Sequence, residues 1–137
     1  MTPDQIFAIV NPLAALSWLA LIVVPRRAAM VTGLVVPALF AALYTVLIAV
    51  HWSGADGGFS TLPDVAGLFA NGWRLLAGWV HYLCFDLLIG TWEVRDAQAR
   101  GVPHLLVVPC LVLTFLFGPA GWLLYKGLAA AHSRSKA

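Results

Sequence analysis

Apolar residues in this chain fall into long blocks, not into the short alternations of a soluble fold. Four blocks, at roughly 5–24, 31–51, 73–94 and 105–126, each reach the ~20 mostly apolar residues that carry a helix across a bilayer. Polar breaks separate them at Val23-Val-Pro-Arg-Arg27, at the turn-rich Ser53-Gly-Ala-Asp-Gly-Gly58 and at Gly101-Val-Pro103. The pattern predicts an all-α integral membrane four-helix bundle, a single transmembrane domain filling residues 1–137. Within the loop 53–71, the Pro63-Asp64 start and the Val65, Leu68, Phe69 spacing suit a short interfacial helix as well as they suit an ordered loop.

Composition sharpens this picture. Of 137 residues, 61% are hydrophobic and 10% charged, whereas soluble domains run near 25% charged; a soluble domain is excluded. The net charge of +2 is too small and too scattered for nucleic acid. Met1-Thr-Pro-Asp-Gln5 lacks the basic start of a signal peptide, so the first block is expected to remain as a span. Cys84 and Cys110 both fall inside spans without a zinc or redox spacing, and read as buried thiols. In a four-span chain Arg26, Arg27, Arg95 and Arg100 lie on one side, and Arg74, Lys126, Arg134 and Lys136 on the other. That count is a tie, and only the Arg26-Arg27 pair after the first span favours an outside N-terminus. The Ala-, Arg- and Gly-rich composition suggests a bacterial inner membrane.

One residue stands out chemically. Asp86 sits in the middle of an apolar run from Trp79 to Trp92, where a charge costs at least about 2.5–3.5 kcal/mol on insertion scales. At about 100° per residue, Trp79, Tyr82, Asp86, Gly90 and Glu93 share one face of the third span. Arg74, Gly78, His81, Phe85 and Trp92 share the roughly opposite one. A helix polar on both sides needs cover on both sides, so the third span is expected at the centre. Cys110, Thr114, Gly118, Gly121 and Tyr125 form a matching stripe in the fourth block, whose small residues also suit plain helix packing. Counting from block centres places Asp86, Thr114, Cys110 and Ser17 in one polar tier, and His81, Asn11, Tyr44 and Thr45 in another.

Three chemistries fit a membrane carboxyl unequally. Haem would need paired histidines at one depth, and only His81 is well inside. A small proton-coupled transporter needs such a carboxyl, with a homo-oligomer to supply a second intramembrane charge. Acid–base work on an apolar substrate needs a proton donor, Asp86, and an acceptor such as His81 or Glu93. Helical geometry puts His81 on the other face from Asp86. A bland reading, with Asp86 merely tying helices together, stands beside these. The sequence calls for no metal and no organic cofactor.

The segment Gly78-Trp-Val-His-Tyr-Leu-Cys-Phe-Asp-Leu-Leu-Ile-Gly90 resembles the signature of the abscisic-acid-deficient-4-like family of four-span membrane proteins. So does Val108-Pro-Cys-Leu-Val-Leu-Thr-Phe-Leu-Phe-Gly-Pro-Ala-Gly121, and Asn11-Pro12, Trp18 and Pro25-Arg26 fit its first span. The resemblance implies a role related to neoxanthin synthase: cofactor-independent isomerisation of a carotenoid 5,6-epoxide, or of a related isoprenoid, to an allenic alcohol. Asp86 and His81 are then the catalytic candidates, and Trp79, Tyr82, Trp92, Cys110, Thr114 and Asn11 the substrate-binding ones. Membrane lipid and a hydrophobic small molecule such as a carotenoid are the expected partners. A non-catalytic carotenoid- or lipid-binding protein is the alternative from another class.

Overall fold

The computed structural model describes residues 1–54 and 57–134, and these are helical throughout their ordered elements. The first helix, α1 (Pro3–Val23), opens on a capping box in which the Thr2 hydroxyl and the Gln5 side chain each satisfy the other residue's backbone N–H. Helix α2 (Pro25–Met30) leads through a π-helical turn, Val31–Val35, into α3 (Val36–His51). That irregular turn lies just ahead of Pro37, which has no N–H to give the helical ladder. A short helix, α4 (Leu62–Phe69), is capped by the Thr61 hydroxyl and occupies the loop before the third span. Of the two readings of this loop, the helix is the one observed.

Helix α5 (Gly72–Arg100) is the longest element at 29 residues. Asn71 caps its start, and Gly101 ends it in the left-handed conformation, φ +68°. It packs against α1, α3 and α4 as well as the two helices that follow it, so the third span is central, as its two polar faces require. Against the π turn, Gly33 lets the backbone close on Thr91, and the Thr91 hydroxyl donates to that of Thr32 at 3.1 Å. The Cys84 thiol donates to the Pro37 carbonyl at 3.3 Å. Trp18 of α1 lies directly on Gly90.

The fourth block is where the structure departs from the expected bundle. The stretch 105–126 is not one helix: α6 (His104–Phe117) stops at Gly118, and α7 (Pro119–Arg134) starts again at Pro119. At 14 residues, α6 reaches about 21 Å, short of the ~30 Å hydrocarbon layer. Gly118 takes φ +41° and ψ −93°, and α7 doubles back along α6 with Gly121 pressed on the backbone of Thr114. Its far end returns to the α5–α6 loop, where His132 Nε2 donates to the Gly101 carbonyl at 3.1 Å. Lys126 and Arg134 thus belong to the same end as Arg95 and Arg100, although the sequence count put them opposite. Lys136 lies outside the described residues.

Three helical stretches, Pro3–Val23, Arg27–His51 and Gly72–Arg100, are long and apolar enough to cross a membrane. Large apolar side chains such as Leu16, Leu39, Val46 and Phe85 point outward. Outward apolar faces on every long helix need a lipid surrounding.

Candidate functional site

The face of α5 that carries Tyr82, Asp86, Glu93 and Asp96 is the face the α6–α7 hairpin covers. Each polar group meets a different level of the hairpin. Tyr82 donates its hydroxyl to the Phe115 carbonyl at 3.1 Å, close to where α6 ends. One turn further, the Asp86 carboxyl stands at the hairpin tip, in the space a side chain on Gly118 would take. Its Oδ2 is buried and has no hydrogen-bond partner among the described residues. A cavity of about 230 Å³ opens there between Asp86, Ile89, Gly118, Pro119 and Trp122.

Two levels remain above it. Glu93 is fully buried, and the Thr114 hydroxyl lies 3.0 and 3.1 Å from its two carboxylate oxygens. At the water end, Asp96 Oδ2 accepts from the Tyr125 hydroxyl and from Arg100 Nε, both at 2.6 Å. The Trp92 ring meets Tyr125 edge-on, and the Lys126 ammonium sits 5.0 Å above it.

The structure therefore splits the expected site residues into separate groups. Asp86 and Tyr82 share the hairpin face. Thr114 belongs to Glu93 and not to the Asp86 tier, because the turn at Gly118 carries the tip, and not the middle of a spanning helix, to Asp86. Cys110 is buried but does not line the Asp86 cavity. Trp92, expected on the His81 face, packs on α7. Trp79 donates Nε1–H to Asn11 at 3.2 Å, tying α5 to α1. His81 is not brought to Asp86: its ring lies against Tyr44 and Phe85 on the other side of α5. Tyr44 and His81 do meet, as their shared tier implied.

Glu93 carries more of this face than sequence reasoning gave it. Beyond the role of proton acceptor, its position on the Asp86 face, seven residues on, places it in the same seam. Among the described residues no group of histidine, cysteine, aspartate and glutamate side chains is arranged to hold a metal ion.

A helical membrane protein with a carboxyl set at the tip of a helical hairpin is the class these features define. The chain belongs to the ABA DEFICIENT 4-like family, whose model matches residues 5–125. The family is the one its sequence resembles, and it marks the chain as a carotenoid-related membrane protein. Neither the curated proteins nor the solved structures contain a match to the chain.

Proposed function

We propose that this protein isomerises a carotenoid epoxide, or a closely related isoprenoid, inside the membrane, with Asp86 as the acid. The observation that supports this reading is the Asp86 carboxyl itself: its Oδ2 is buried without a hydrogen-bond partner among the described residues, at the mouth of a cavity between α5 and the hairpin tip. Groups that handle protons in a membrane are held in such dry, polar-poor surroundings. The cavity is below the ~300–1,000 Å³ of a drug-sized pocket, so it takes the functionalised end ring while the polyene lies along the outer faces of the helices.

Because His81 lies across the helix, the carboxyl is proposed to serve both proton transfers. Its O–H protonates the epoxide oxygen, and the C–O bond on the polyene side breaks. The other carboxyl oxygen takes the proton from the neighbouring polyene carbon, and the C–H electron pair forms the second double bond of the allene. Asp86 ends protonated, on its opposite oxygen, and no redox change occurs. Tyr82, whose own proton goes to the Phe115 carbonyl, is placed one turn away to accept from the protonated carboxyl.

Expression in cells that make defined epoxycarotenoids, followed by pigment analysis, tests this directly. An isomeric pigment that disappears in Asp86→Asn supports the reading. An unchanged pigment that co-purifies with the protein makes it a binder, the alternative reading. With neither a new nor a bound pigment, the carotenoid assignment fails.

A further inference from the structure

The face of α5 turned away from the hairpin holds a second cavity, of about 310 Å³, beneath α4. Its walls are the rings of Tyr44, Trp52, Phe59 and Phe69, and its basic groups are Arg74 and His81. Arg74 donates Nε–H to the Leu68 carbonyl at 2.9 Å and Nη1–H to the His51 carbonyl at 3.5 Å. Both acceptors are neutral, and among the described residues Arg74 forms no ion pair. His81 lies seven residues deeper, about 10 Å along the same face. Its ring is exposed and is flanked by those of Tyr44 and Phe85, 5.5 and 4.7 Å away. An arginine without a carboxylate and an exposed imidazole, set along one aromatic groove, offer donors to a ligand lying in it.

We propose that this cavity binds one anionic glycerophospholipid. The phosphate sits on the Arg74 guanidinium, near the membrane surface where α5 begins. Below it an ester carbonyl accepts the His81 N–H, and the acyl chains run over the Tyr44 and Phe85 rings into the bilayer. Charge selects the headgroup: Arg74 brings a positive charge and no acidic side chain is among the cavity's lining residues, which favours a lipid of net negative charge over a zwitterionic one.

Native mass spectrometry of the full chain in detergent, titrated with phosphatidylglycerol and phosphatidylcholine, tests the site. The expected result is retention of phosphatidylglycerol about fivefold above phosphatidylcholine, the effect of one basic residue on an anionic lipid. Arg74→Lys keeps that preference and Arg74→Gln erases it, while His81→Phe weakens both lipids without changing their ratio. Equal retention of the two lipids by the unaltered protein overturns the proposal, whatever the variants do. Displacement of the lipid by inorganic phosphate alone would make this a simple anion site, and displacement by a carotenoid would make it a pigment groove. Either result also overturns it.

Discussion

Gly118 and Asp86 compete for one small space. A β-carbon built on Gly118 would lie 3.0 Å from Oδ1 of Asp86 and 3.3 Å from Oδ2, and the glycine already holds a backbone conformation, φ +41°, that other residues avoid. The turn that reverses the hairpin and the space around the carboxyl are thus the same feature. Any residue that blocked the turn would also press on the acid.

Gly118→Ala is accordingly expected to fail twice. The strained backbone costs about 1–3 kcal/mol, and the added methyl displaces the carboxyl. Folded protein recovered in detergent should melt several degrees lower and should form little or no isomerised pigment. Normal turnover with lowered stability would show that the Asp86 position tolerates movement.

The Glu93–Thr114 contact holds the middle of the hairpin. Thr114→Val leaves a fully buried carboxyl without its donor, at an expected cost of about 1–3 kcal/mol, whereas replacing both partners by apolar side chains recovers much of it. A double-mutant cycle of Thr114→Val and Glu93→Leu, read by thermal unfolding in detergent, should therefore show a favourable coupling of the pair. Additive single effects would mean that the two groups do not depend on each other.

The membrane character and three of the spans were legible because bilayer thickness imposes a length that a block of apolar residues displays openly. Asp86, too, was visible as a charge in the wrong place. The hairpin was not, since 105–126 has the length and apolarity of a fourth span, and Gly118-Pro119 alone does not say whether a helix bends or reverses. That decision rests on long-range partners: Thr114 with Glu93, Tyr125 with Asp96, His132 with Gly101. For the same reason the tier linking Asp86, Thr114 and Cys110 dissolved, because it assumed a helix that keeps going.

Asp96 is expected to be structural: it stands i,i+4 to Arg100 and bonds both that residue and Tyr125. It ties α5 to α7 through Tyr125 and pairs with Arg100 one turn on along its own helix. Asp96→Asn and Tyr125→Phe should lower the melting temperature in the same direction and leave turnover per folded molecule unchanged. Loss of activity at normal stability in Asp96→Asn would assign it a part in the chemistry.

The reversal at Gly118 also changes where the chain ends. A fourth span would return the C-terminus to the side of the N-terminus, where Pro3 lies against Gly72. In the hairpin, His132 sits at Gly101 instead, so the two termini are expected on opposite sides of the membrane. Charge then stops being balanced: Arg27, Arg95, Arg100, Lys126 and Arg134 gather towards one end and Arg74 stands at the other. By the positive-inside rule the Arg-rich end is expected to face the cytoplasm and the N-terminus to face out. Compartment-sensitive reporters fused after residue 134, inserted at 101–103, and fused to the N-terminus would read this out. The first two should agree with each other and report the cytoplasm, and the third should differ. If the C-terminal reporter instead agrees with the N-terminal one, the chain crosses four times, and Asp86 cannot stand at a hairpin tip.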